Sequence, residues 1–393
     1  MKKYVVPLLL AGSLISTSLA CGSYRSGIGE AIDTGGELLA DLISNLRAQG
    51  QAGLDLALSA DPTARAHPDY ADFVDQVAKQ REAMASRLFW HTDFGLARAA
   101  AEKSGRPILS LRLLGNLDDE YSCANSRLFR EVLYPAPEVN RFLREHFILH
   151  WESVRPVPVI TIDFGDGRSL RRTITGNSAH YVLDPAGRVI DALPGLYTAP
   201  KFVSELRSAF GFFQANRDQA PHGWLASRAT FHQGKLDAVK REFETQLARR
   251  QLSGLIGKLS DPIEMSDLTP QQWAKLAEND APLFDAFDAR KANDLTVGKG
   301  FMESPLIEHV AQAEHTAKKR ANLDKATAED SVRNQFVFHR RVHEYFAAGS
   351  LPANVDILNQ WVYTELFQMP DDDPWLGLHT PDHFTGLTDD GAR

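Results

Sequence analysis

Cysteine is scarce in this 393-residue chain, with Cys21 and Cys123 the only two. With Cys21 acylated, as its context below suggests, Cys123 has no partner for an internal disulfide and stability must come from burial. Positive charge is also in deficit: 43 Lys and Arg stand against 51 Asp and Glu, a net charge of -8. That balance argues against a nucleic-acid or anionic-membrane surface, where a basic stripe is expected. Beyond the N-terminus no run approaches the ~18 apolar residues of a membrane-spanning helix. No phosphate-binding glycine loop, Gly-x-Ser-x-Gly elbow or dinucleotide fingerprint occurs, and there are no repeats. The acidic run Asp371 to Asp373 lacks the glycine and glutamate of a calcium loop and reads as a solvated loop.

The first twenty residues read as a targeting segment. Lys2 and Lys3 form a basic n-region, Val5 to Ile15 an apolar h-region, and Ser18-Leu19-Ala20 supplies the small residues a signal peptidase reads. Cys21 follows directly, so Thr17-Ser18-Leu19-Ala20-Cys21 resembles the lipobox of bacterial lipoproteins, with Cys21 as the lipidated residue. Ser18 stands where that motif more often has a large aliphatic residue, so plain secretion into the periplasm is the alternative. Gly22, in place of the aspartate that marks inner-membrane retention, points to an outer-membrane, periplasm-facing anchor. Multiple acyl chains hold a protein to the membrane stably without a spanning helix.

At 43% hydrophobic and 24% charged residues, the remainder is ordinary globular material, long enough for about two domains. Residues 21–68 read as a tether with one amphipathic helix, and 70–89 as a helix through Phe73, Val77, Met84 and Leu88. Residues 92–104 form a helix closed by Gly105, and Pro107 to Leu114 a buried strand. Cys123 to Leu133 and Glu138 to His146 are helices, and Phe147 to Trp151 is a second strand. Residues 157–173 alternate around Gly165-Asp166-Gly167, a hairpin whose glycines permit the positive φ of the turn. A further strand pair flanks Asp184-Pro185-Ala186-Gly187, and a helix covers 199–214. The remainder, 215–393, is helical: Leu236, Val239, Phe243 and Leu247 recur at helical spacing, Thr269-Pro270 is an N-cap and first-turn pair, and Thr327 to Asp330 starts a helix closed by Gly349. Residues 358–367 form one more helix.

The order β-α-β then β-β-α, a helix ending Lys-Ser-Gly-Arg-Pro, a Val-Leu-Asp-Pro-x-Gly hairpin, and Cys123-Ala124-Asn125-Ser126 after the first strand resemble the thioredoxin-like superfamily over residues 91 to about 210. The resemblance implies an α/β thioredoxin-like domain, a central mixed sheet flanked by helices, spanning 69–214 with its leading helix and followed by a mainly α-helical C-terminal domain. It also implies a nucleophilic thiol at Cys123. Two departures bear on activity: Ser126 replaces the resolving cysteine, and Asn177-Ser178-Ala179 occupies the place where the family usually has a cis-proline facing the site.

A cysteine at a helix N-terminus feels the positive end of the helix dipole, which favours the thiolate. Cys123 is therefore a candidate nucleophile, with Ser126 a hydrogen-bond donor to it and Tyr121, Asn177 and Ser178 the expected substrate contacts. Without a second cysteine, only monothiol chemistry on a thiol, disulfide or peroxide remains. Asp118, Asp119 and Glu120, just upstream, would raise the thiol pKa, and a small buried helix-capping cysteine is the competing reading. His180 either faces Cys123, where it would lower the thiol pKa, or is buried or turned outward by strand alternation. His339 and His343 share a helix face and His379 and His383 repeat that spacing, but Arg340 stands where a His-Glu-x-x-His motif needs glutamate, so no metal and no cofactor are assigned. The expected function is thus an exported monothiol redox protein whose helical C-terminus specifies a protein partner; the alternative is a non-catalytic binding or scaffold protein of the cell envelope.

Overall fold

The computed structural model describes residues 27–173, 177–278, 316–350, 352, 354–376 and 386–388, without the side chains of 316–324. The signal segment, Cys21, His379 and His383 lie outside these residues.

Among the described residues, a helix over 27–34 is followed by α1 (Gly36–Ala48), α2 (Gln51–Leu58) and α3 (Tyr70–Ala78). Their apolar faces enclose a core of Leu46, Leu54, Phe73, Val74 and Val77, so the stretch read as a tether is packed. The helix expected over 70–89 ends at Ala78, because Lys79 takes a left-handed φ of 55°. The Asp75 carboxylate fixes that break by accepting the N-H groups of Glu82 and Ala83 at 3.2 and 2.8 Å. Met84, assigned to the buried face, is exposed on a single helical turn, Ala83–Ser86, after which the chain runs on to Trp90, whose indole N-H donates to Gln80 at 2.8 Å.

Helix α4 (Phe94–Ser104) starts at Asp93, whose carboxylate accepts from Leu96 N-H, and stops at Gly105 in a left-handed conformation. Strand β1 (Ile108–Leu114) follows, buried along its whole length. Helix α5 (Ala124–Leu128) runs through a π-helical turn, Phe129–Leu133, towards α6 (Pro137–His146), and β2 (Ile148–Arg155) returns parallel to β1. Strands β3 (Val159–Asp163) and β4 (Ser169–Thr173) form the expected hairpin, which stands apart as its own two-stranded sheet. Strands β5 (Ser178–Leu183) and β6 (Val189–Pro194) complete a four-stranded mixed sheet of order β2-β1-β5-β6, in which β5 is antiparallel to both neighbours. Every residue of β1, β5 and β6 is buried, which requires cover on both faces.

The cover comes largely from helices. Following β6 are α7 (Ala199–Asn216), α8 (Pro221–Arg249), α9 (Pro270–Ala277), α10 (Thr316–Arg333), α11 (Arg340–Ala347) and α12 (Val355–Trp361). A π-helical turn, Asn334–His339, joins α10 to α11. Thr327 to Asp330 therefore lie inside a continuous helix and do not start one. No glycine or proline interrupts 316–348, so a capping-type sequence there has no helix end to cap. Thr269 does cap α9, in a reciprocal capping box with Gln272. The sheet core continues without interruption into Trp224, Val342, Phe346, Leu358, Val362 and Tyr363 of the helical region.

Candidate functional site

Cys123 lies at the carboxyl end of β1, its N-H donating to Leu114 O at 3.2 Å. The backbone turns out of β1 through Gly115 at φ 73°, where a Cβ would come within 3.1 Å of Val157 Cγ1 and 3.2 Å of Tyr121 O. Cys123 itself is extended (φ -60°, ψ 156°) and caps α5, with Sγ accepting Ser126 N-H at 3.4 Å. The Ser126 hydroxyl does not reach the sulfur as expected: it donates to Cys123 O at 2.7 Å, the bond that a short side chain one helical turn on makes most readily. The sulfur-bearing residue is 0% exposed and belongs to the main core.

The acidic loop before it is held away. Asp118 pairs with Lys79 at 3.2 Å, and the Asp119 carboxylate accepts Tyr121 N-H at 3.0 Å. The buried Arg130 guanidinium donates to Leu117 O, Asp119 O and the Ser122 hydroxyl and pairs with Glu82 at 2.7 Å. Tyr121 stacks beneath the Arg171 guanidinium, 4.7 Å from its ring centre. His180 is buried and engages Tyr134 Oη at 2.8 Å, and burial pushes its pKa down to about 3. Burial raises the Tyr134 and Tyr363 hydroxyls well above the usual tyrosine range, and the neighbouring Cys123 adds to both shifts.

The structure thus gathers Cys123, Ser126 and Ser178 at one end of the sheet, Ser178 pairing with Leu113 of β1, but it closes that end. Asn177 O accepts the Tyr363 hydroxyl at 2.8 Å. Asp356 meets Arg112 at 2.9 Å, and Asn359 accepts the Tyr181 hydroxyl at 3.0 Å. Arg155 then binds the carbonyls of Met369, Pro370 and Asp373 at 3.0 to 3.4 Å. These residues fasten the C-terminal arm, residues 354–376, over the sheet. The sequence carries no local sign of this arm's position, since its partners lie more than two hundred residues upstream in the Arg155 contacts.

An open cleft lies elsewhere, between α1 and α2 on one side and α4, α6 and β2 on the other, with a volume of about 950 Å³. Arg47, Lys103, Arg106 and Arg144 line it with Phe89, Leu96, Leu143 and Phe147, and no carboxylate is among its lining residues. Arg144, however, is paired with both Asp55 oxygens at 3.0 Å, so the positive charge of the cleft rests on Arg47, Lys103 and Arg106. Arg47 spends its donors on Val77 O and Trp90 O at 2.8 and 3.3 Å, and Arg106 on Arg144 O at 3.0 Å, so neither is neutralised by those bonds. His91, on the same wall, is pushed by burial down to about 4 and is neutral. In a chain of net charge -8 this is a local reversal of sign. The sequence signal was present only as scattered basic residues on separate elements.

His339 and His343 do share a helix face, and both are buried. They meet Asp191 of β6 and His232 of α8, a grouping that the sequence reading missed because its members lie on separate elements.

No protein-family model, curated protein or solved structure matches this chain.

Proposed function

We propose that the chain is a non-catalytic binding protein of the cell envelope, built on a thioredoxin-like domain in which Cys123 is structural. The thioredoxin-like reading is supported by the β-α-β and β-β-α halves sharing one mixed sheet, with a helix capped by Cys123 after the first strand. The observation that carries the non-catalytic reading is the burial of the sulfur: at 0% exposure, with its acceptor capacity directed to Ser126 N-H, it offers no face to a disulfide or peroxide. The cationic cleft favours a ligand with an anionic head and an apolar body, since guanidinium and ammonium groups surround aromatic and aliphatic walls.

The test is thiol labelling of the mature chain with peptide mapping at Cys123. No labelling of the native protein at neutral pH and full labelling in denaturant is the expected result; rapid native labelling restores the monothiol reading. In parallel, titration with anilinonaphthalene sulfonate, an anionic amphiphile, reports the cleft. The Lys103→Glu, Arg106→Glu double variant is expected to weaken binding about tenfold, some 1.4 kcal/mol, and an unchanged isotherm removes the cleft from the proposal.

A further inference from the structure

Four side chains from distant parts of the chain converge behind the outer strand of the sheet. Asp191 projects from β6, His232 from α8, His339 from the end of the π-helical turn and His343 from α11; all are fully buried. His339 Nε2 lies 3.2 and 3.3 Å from the two Asp191 oxygens, and His232 Nδ1 lies 2.9 Å from His343 Nδ1. The His339 and His343 rings are 4.1 Å apart between centres.

Hydrogen bonding alone leaves this group incomplete. Ile190 O can only accept, so His232 Nε2, 2.8 Å away, carries its proton and His232 Nδ1 is a lone pair. His343 Nδ1 must then donate to it, which leaves His343 Nε2 as a bare lone pair in the core. His339 Nε2 donates to Asp191, so His339 Nδ1 is left over as well. Neither His343 Nε2 nor His339 Nδ1 has a hydrogen-bond partner. Native cores rarely leave such atoms unmatched, and here two occur on neighbouring rings.

We propose that Asp191, His339 and His343 bind a divalent transition-metal ion, zinc being the best match, while His232 orients the His343 ring. Each of the three residues offers a ligand atom, and these atoms lie within 4.8 Å of one another. Donors about 2.0–2.2 Å from one tetrahedral zinc sit about 3.4 Å apart, so the three ligand atoms, now within 4.8 Å of one another, close in when the ion enters. Two imidazoles and a carboxylate suit zinc, whereas calcium and magnesium call for oxygen ligands throughout. The chain from Ile190 O through His232 to His343 is the outer-shell support that fixes a ligating histidine's tautomer. Glu205, buried nearby and paired with Lys201 at 3.0 Å and with Lys235, is already satisfied and remains outside the ligand set. Because β6 belongs to the sheet and His339 and His343 to the C-terminal helices, the ion joins the two. Three protein ligands leave the fourth position of a tetrahedral ion to a buried water, and because the residues are closed from solvent the site is structural.

The experiment is metal analysis of the mature chain purified without chelator, then unfolded in chelator and refolded with or without zinc or cobalt(II). About one zinc per chain, a melting temperature several degrees higher with zinc, and a visible cobalt ligand-field band are expected. The His343→Ala variant should lose the band, His232→Asn should weaken zinc about 10–100-fold, and the His379→Ala, His383→Ala double variant should keep both. Should the ligand variants fail to fold, the wild-type melting shift and cobalt spectrum still decide. Wild-type protein that refolds without retaining metal, or a His343→Ala variant that retains it, overturns the proposal and leaves the cluster a metal-free Asp-His pair.

Discussion

Two buried polar groups lie at opposite places on one sheet, and they are finished differently. At the end of β1, the capping bonds of Cys123 and Ser126 are made within three residues: sulfur to Ser126 N-H, hydroxyl to Cys123 O, with Arg130 gathering the loop carbonyls. Behind β6, Asp191, His232, His339 and His343 come together across sequence separations of 111 and 148 residues, and two ring nitrogens remain unmatched. Both places are equally buried. What separates them is what is left over. Around the thiol the cap is satisfied, and the unmatched atoms, the Ser178 hydroxyl and one His180 nitrogen, lie on separate residues. The histidine cluster leaves two ring nitrogens on neighbouring rings beside a carboxylate, a donor set for a cation. A reactive residue type is therefore a weaker guide to chemistry than an unfilled bonding requirement.

The comparison is tested most severely at Asp191. Its carboxyl is held far below the usual carboxylate range, burial being outweighed by His339, His343 and His232. His339→Leu takes away the side-chain donor to that carboxylate and leaves it buried without its partner, and breaking a buried pair from one side costs about 3–5 kcal/mol. Urea unfolding of metal-free protein should show this loss; a loss under about 1 kcal/mol would mean the pair is already loosened and the contrast with Cys123 overstated. Next in size is Arg130→Met at the thiol end. It strands two carbonyls and the Ser122 hydroxyl, roughly 3 kcal/mol at about 1 per unmatched group, the low end because the loop lies near the surface. Because the cap itself survives, native thiol labelling should rise only if the loop opens, so labelling rate and stability together separate a sealed sulfur from one merely crowded by the loop.

A smaller, pH-dependent effect belongs to the thiol side of the sheet. His180 and His150 are both pushed down to about 3, chiefly by burial, with Arg112 contributing at His150. An imidazole whose folded pKa lies below its ordinary value of 6.5 stabilises the native state while neutral. As pH falls through that value the unfolded chain takes up protons that the folded chain refuses, so this stability is full above 6.5 and drains away toward 3. Each such histidine contributes a slope approaching 1.4 kcal/mol per pH unit. His180→Phe keeps the ring contacts with Phe129 and Phe202 and should flatten the loss between pH 6.5 and 4, measured by urea unfolding at each pH. An unchanged slope would show that the acid limb is set elsewhere.

Local signals carried much of the architecture. The buried run of β1, the hairpin turns, the Thr269 cap and the placing of Cys123 at a helix start all depend on neighbours in sequence, and each is found where its pattern falls. The misreadings at Lys79 and Thr327 have a common cause. Lys79 turns because Asp75, Glu82 and Ala83 bond to one another once the chain has already turned, and Thr327 is helical because α10 started upstream. The candidate thiol was legible, but its enclosure was not: Tyr363 and the carbonyls at 369, 370 and 373 arrive from the far end of the chain. Likewise, i,i+4 spacing revealed the shared face of His339 and His343, while Asp191 and His232 carry no spacing relation to them.

The smallest expected effect is also the most direct measure of the thiol. Cys123→Ser keeps a side-chain acceptor at the N-cap, where serine is among the preferred residues. It also exchanges a polarisable apolar atom for a hydroxyl in a position without solvent exposure. The stronger cap and the cost of burying a new donor oppose each other, each on the order of 1 kcal/mol. A net change within about 1 kcal/mol follows, with the melting transition still cooperative. Cys123→Ala, which loses the cap without gaining a donor, should lie lower by a similar amount. Neither substitution touches Arg47, Lys103, Arg106 or Arg144, so anilinonaphthalene sulfonate binding should stay within about twofold of wild type, under 0.5 kcal/mol. If Cys123 of the folded wild-type chain is alkylated while fold and ligand binding stay intact, the sulfur is being reached through opening of the C-terminal arm. The two buried sites would then differ in access as well as in what they leave unmatched.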